Sequence, residues 1–450
     1  MSEIRTDADS QGAGGASLAV FCLCVAFLGF AAGSFVMYRD LYPASYLARS
    51  YQAGFALFDK TTGYMDPLTT DLWRPARTDA KGVVAYDPER SAGGLTLYTS
   101  GHEQKASLID MDGRVVHEWS LPYSQVWDDT AAVQNPQPDS HVYIEKAHVY
   151  PNGDLLALYV AVGDSPWGYG LVKMNRDSEV IWKYLQQVHH DFDVAPDGRI
   201  HVLTHEIVDS VIPGHEYLEP PRIDDFAVTL SPDGEELSKT WLLGAVTDSP
   251  YGRRMNLVPW YAVGSKGDYL HTNAIEEIGN TAKLPGVPQG SLLLSFREIG
   301  MVAALDPETE EIVWGVTGSW MRQHDPDLLA NGNILLFDNE GGYGGPGVSR
   351  VIEIDPATQE IVWSYEGTAD HPLESIVRSS QNRLPDGNTL IVESDAGRLV
   401  EVTTDGDIVW EFVNPVRGGE GEQRIPIIFW VQRLDPANLE PDFRESLALA

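Results

Sequence analysis

The sequence predicts an all-β chain: a six-bladed β-propeller preceded by one N-terminal transmembrane helix. Three observations carry that expectation. A hydrophobic run closing on tryptophan recurs six times, at Trp119, Trp182, Trp241, Trp314, Trp363 and Trp410. A hairpin turning at Pro-Asn-Gly, Pro-Asp-Gly or a close variant alternates with it. One stretch, Leu18 to Met37, holds twenty apolar or small residues and no charge.

The chain divides accordingly. Residues 1–17 are polar and Gly-rich, and read as a disordered leader. Residues 18–38 are long enough to cross a bilayer as a helix. A cleaved signal peptide is the rival, but its leader would be basic, and here Glu3, Asp7 and Asp9 stand against Arg5. An uncleaved anchor is therefore expected. Gly29 and Gly33 form GxxxG, a spacing that packs helix pairs and leaves a homo-oligomer open, although a Gly- and Ala-rich run produces it by chance. Residues 39–93 are a lead-in, 94–434 the propeller and 435–450 a tail.

The repeats justify the ring. The Trp runs include LIDMDGRVVHEW, VAALDPETEEIVW and LVEVTTDGDIVW, spaced 63, 59, 73, 49 and 47 residues apart. The hairpins include HVYPNGDLLALYV, FDVAPDGRIHVLTH and NRLPDGNTLIVES. Short apolar runs broken by Pro, Asp, Asn and Gly are hairpin signals, and two such units give four strands per blade. Each Trp reads as a blade-packing residue. The strand-like RIPIIFWVQRL is placed to close the ring against GLTLYTS near the first blade.

Composition narrows the function. With 31 Lys and Arg against 66 Asp and Glu, the net charge is −35. Nucleic acid is excluded as a partner, because phosphate binding needs clustered basic residues. Acidic side chains in these numbers read as a solvated surface. The two cysteines, Cys22 and Cys24, both lie in the apolar run, so the rest of the chain carries no thiol chemistry.

Counting from the turns gathers polar groups on one rim. His190 lies six residues before Pro196, and His324 six before Ala330, which takes the Pro position of its turn. On the return strands, Arg297, His205 and Asn339 each lie seven residues after the turn glycine. A hairpin folds those two offsets to the same end. His271 and Asn273, two apart, point the same way. His189 faces the other side of its strand by alternation and ranks lower. Glu145 and Ser379 hold the equivalent place in the first and last hairpins, so the basic set belongs to particular blades rather than to every repeat. Imidazoles with a guanidinium suit an anionic group. The same histidines with Asp191 or Asp325 could hold a metal, but no tight ligand spacing such as HExxH occurs, and no metal or cofactor is expected.

At these residues the chain resembles the bacterial arylsulfotransferase family. HHDFDVAPDG, the H-x-N of LHTNAIEE, the Arg of SLLLSFRE and QHDPDLLANGN carry the resemblance, which spans roughly Gly94 to Leu434. It implies a six-bladed propeller that moves a sulfuryl group from an aryl sulfate ester to a phenol, with no nucleotide donor. It implies that His324 is transiently sulfated, with His190, His271, Asn273 and Arg297 supporting it. His205, Asn339 and His189 are assigned to substrate binding. The expected place is a membrane, single-pass, with the propeller on the periplasmic or other extracytoplasmic side. The alternative is a non-catalytic anchored propeller that binds a protein partner or an anionic ligand. A quinone-dependent dehydrogenase would need a larger ring than six Trp runs allow.

Overall fold

The computed structural model describes residues 10–39, 41–42, 66–256, 258, 267–279, 281, 283–342 and 347–447. The start of the leader and most of the early lead-in lie outside the described residues. The chain forms two units, Met1–Met65 and Asp66–Ala450.

In the first unit a helix runs from Ser10 to Tyr38, so it begins ahead of the apolar run. The expected transmembrane anchor at 18–38 is not supported. Among the described residues, no helix is long and apolar enough to cross a membrane.

The second unit is the expected six-bladed propeller, every blade an antiparallel sheet. The blades are taken here in chain order, the first being the one that holds Leu95–Ser100. Blades two to five each use four consecutive strands. The third, for example, uses Val188–Val194, Ile200–Val208, Arg222–Leu230 and Glu236–Trp241 from hub to rim. The first blade takes its innermost strand, Ile428–Leu434, from the far end of the chain, where it pairs with Leu95–Ser100. The sixth gains a fifth, outer strand, Gly82–Tyr86, beside Ile408–Val413. Trp73–Pro75 pairs with Arg424–Pro426, so both ends of the unit are bound into the closure.

Six hydrophobic clusters fill the six seams between neighbouring blades. This explains why central strands read as unbroken apolar runs. In Ile334–Asp338, Ile334 and Leu336 pack toward the fourth blade while Leu335 and Phe337 pack toward the sixth. Period-2 alternation persists, but both faces are buried. The tryptophans lie on outer strands. Trp119, Trp182, Trp363 and Trp410 each donate an indole N–H across a seam, to the carbonyls of Gly153, Pro232, Thr404 and Met111 at 2.8–3.2 Å. Trp241 instead bonds Asp224 within its own blade, at 3.1 Å.

The innermost strands meet a separate problem. They have no ladder partner toward the hub, and a buried backbone N–H without an acceptor is costly. Carboxylates supply acceptors across successive seams. Glu145 accepts from the His190 N–H at 3.0 Å, Asp191 from Ile275 at 2.8 Å, and Asp193 from Glu277 at 2.9 Å. Glu276 accepts from Leu328 at 2.8 Å, and Asp325 from Gln381 at 3.2 Å. Part of the acidic excess thus sits at the hub rather than on a solvated surface.

Candidate active site

The inner strands are not regular. Register shifts interrupt Val188–Val194, Thr272–Glu277, His324–Leu328 and Val142–Val149 near their hub-facing polar residues. His190 (φ 56°), His271 (φ 50°), and Asp325 (φ 52°) beside His324, hold left-handed backbone. Each such residue costs on the order of 1 kcal/mol or more. Bulges of this kind re-aim side chains and cluster beside functional sites. His271 stands just before its strand rather than on it, so strict alternation does not place it.

These distortions bring His190, His271, His324 and Arg297 to one cavity of about 310 Å³. Asn273 lines the narrow gap just below it and donates to the Gln323 carbonyl at 2.8 Å. Asn339 lies behind His324. His189 and His205, each 1% exposed, lie behind the wall, their rings stacked at 4.3 Å. Eight further lining residues carry no signal in the sequence, among them Asp71, Tyr143, Trp167, Val377 and Arg378. Trp167 stands edge-on to His190 and His205, with ring centroids 5.6 and 4.9 Å away. Arg378 adds a second guanidinium, paired with Asp71 at 2.6 Å.

The hydrogen-bond partners set the state of each imidazole. Asn339 donates its amide to the carbonyls of Ser375 and Arg378, at 2.8 and 2.7 Å. Its Oδ1 therefore faces His324 Nδ1, at 2.7 Å, with the Arg322 carbonyl 3.0 Å from the same nitrogen. Two acceptors at Nδ1 place the proton there and leave a lone pair on Nε2. Burial, and then Arg297, hold His324 down to about 3, so it is neutral near pH 7. Burial also holds His190 well below its usual range. Its Nδ1 lies 2.7 Å from that of His189. Arg297 keeps Nη1 on Glu298 Oε1 at 2.5 Å, which aims the guanidinium.

His189, His205 and Asp225 place three ligand-type atoms within 4.8 Å of one another. The two rings are nearly parallel, at 12°. A metal bound to imidazole lies in the ring plane, and one ion cannot lie in two stacked planes, so this trio does not form a ready metal site. Of the other candidate metal partners, Asp191 spends its two oxygens on Lys146 and the Ile275 N–H, and Asp325 gives Oδ2 to the Gln381 N–H.

A family model described as Arylsulfotransferase (ASST) matches residues 146–415, more than half of the chain. The chain belongs to the arylsulfotransferase family. It is therefore an enzyme of the transferase kind. No curated protein matches it. Among solved structures it is similar to a Bacteroides caccae protein of unknown function, at 16% identity and TM-score 0.47, covering 75% of this chain and 99% of that one. It is also similar to a streptogramin B lyase, at 14% and 0.40, covering 78% and 88%. The virginiamycin B lyase of Staphylococcus aureus matches at 12% and 0.40, covering 78% and 89%.

Proposed function

We propose that this arylsulfotransferase moves a sulfuryl group from an aryl sulfate to a phenol through a sulfated His324. The observation that carries the reading is the bonding of His324. Its Nδ1 is committed to Asn339 and the Arg322 carbonyl, so a neutral Nε2 lone pair remains. That nitrogen attacks sulfur as the donor's aryl oxygen leaves. Arg297 and Asn273 stabilise charge on the sulfuryl oxygens, with Arg378 as a second guanidinium in the same cavity. His190 or His271 takes the proton of the acceptor phenol. Trp167, Tyr143 and Val377 offer apolar surface for the aromatic ring.

The test is intact-mass analysis after mixing with p-nitrophenyl sulfate. One added SO₃, about 80 Da, is expected on wild-type protein and absent from His324→Ala. Turnover by the variant at the wild-type rate would end the proposal.

A further inference from the structure

The three cavity imidazoles differ in what stands behind them. His324 Nδ1 meets an amide and a carbonyl, and His190 Nδ1 meets another imidazole. His271 Nδ1 lies 2.5 Å from Oδ2 of Asp268, a carboxylate only 2% exposed. Oδ1 of Asp268 has no hydrogen-bond partner among the described residues. Building on the sulfuryl-transfer reading, we propose that Asp268 is a positioning residue that makes His271 the group taking the acceptor's proton.

The backbone fixes this pair. Gly267 has φ +89°, and a Cβ there would lie 2.4 Å from the Pro221 carbonyl. Its own carbonyl accepts from the Ile223 N–H at 3.0 Å, which pins Asp268 to the third blade. The His271 carbonyl accepts from the Arg297 N–H at 3.3 Å. Held on both sides, the ring keeps Nδ1 on the carboxylate and leaves Nε2 for the cavity. A carboxylate behind an imidazole sets its tautomer and stabilises the imidazolium that forms. Neither of the other two imidazoles has this support.

In the second half-reaction the acceptor oxygen bonds sulfur as the Nε2–S bond of His324 breaks. That electron pair returns to His324 Nε2, and the acceptor's O–H proton goes to His271 Nε2. In the first half-reaction the same proton goes from His271 to a leaving aryl oxide. A weakly basic leaving group such as p-nitrophenolate needs no such help, whereas unsubstituted phenol as acceptor must lose its proton.

Charged or titratable groups face the pair from each neighbouring element. They are Arg297 and Glu298 on its own blade, His190 and Asp225 on the third, Arg322 and His324 on the fifth, and Arg378 on the sixth. Burial pushes Asp268 up to about 7 against the pull of Arg297, and burial followed by Arg297 holds His271 down to about 3. With Asp268 ionised, the His271 proton stays on Nδ1 against Oδ2 and Nε2 is bare toward the cavity.

Asp268→Asn keeps an acceptor at Oδ1 but removes the charge. Sulfation of His324 by p-nitrophenyl sulfate is expected to stay within about threefold of wild type. Transfer from sulfated enzyme to phenol is expected to fall about a hundredfold in kcat, with its inflection near pH 7 lost. Asp268→Glu should recover part of the transfer rate. Transfer by Asp268→Asn at the wild-type rate would overturn the proposal. Equal slowing of both half-reactions would also do so, by revealing a merely structural role. If the wild-type protein took up no sulfate at all, the function reading would fall, and this proposal with it.

Discussion

The two ends of the hub are built from the same six inner strands and have opposite chemistry. One end gathers His190, His271, His324 and Arg297 around the cavity of about 310 Å³. The other is a second cavity of about 250 Å³ lined by Asp191, Asp193, Glu276, Asp325 and Asp327. Lys146 stands between them, 2.5 Å from Asp191 Oδ1 and 3.8 Å from the centre of the Trp430 ring. The acidic end is explained by folding: all five of its carboxylates catch a backbone N–H or a side-chain amide of the next blade. The cavity imidazoles do no such stitching. The left-handed backbone at His190, His271 and Asp325 costs stability, and what it gains is convergence on one space.

If that contrast holds, substitutions at the two ends should separate activity from stability. The largest effect is expected for His324→Ala, which should lose on the order of 10³-fold or more in kcat with its melting temperature little changed. Arg297→Lys comes next. It keeps the charge but loses the planar fork, and kcat for aryl sulfate should fall about 10²-fold. At the acidic end the readout reverses. Asp191→Asn leaves Lys146 unpaired at the hub and should cost about 3 kcal/mol in denaturant unfolding. The fraction still folded should form the sulfated intermediate normally.

The smallest effect is in pH dependence. Burial pushes Glu276 up to about 8 and Asp325 up to about 7, above their unfolded values. Folded protein then holds protons that the unfolded chain has released. Their contribution to stability is present at low pH and is lost as pH rises from about 5 to about 8. The histidine end has the opposite sign. His271 and His324, held down to about 3, stay neutral in the fold, so stability is lost as pH falls from about 6.5 toward 3. Melting temperature against pH should peak between these limbs, and Glu276→Gln should flatten only the alkaline one. A slope unchanged in that variant would show that this carboxylate does not contribute to it.

The blades were legible in the sequence because tryptophans and turn glycines repeat with the chain. The rim set was partly legible for the same reason: offsets from a hairpin turn survive folding. Alternation failed at the bulges, where His271 precedes its strand and the left-handed residue is His190 in one blade and Asp325 in another. Asp71, Trp167, Asp268 and Arg378 reach the site from segments outside the repeat register, so no periodicity could flag them. From sequence, Asp191 and Asp325 stand only as possible metal partners and Asp193, Glu276 and Asp327 give no signal, because a lone Asp or Glu looks solvated until its partner on the next blade is known. Only the His-Asp spacing of three between Asp268 and His271 left a local trace.

The seam of the first blade joins distant parts of the chain, with Ser100 Oγ donating to the Ile427 carbonyl across 327 residues. Until that late segment is synthesised, a growing chain holds stacked wedges with one flank open and its hub unsealed. Annulus closure should therefore be the last and slowest event in maturation, and loss of residues 424–434 should leave an aggregation-prone open arc rather than a smaller enzyme.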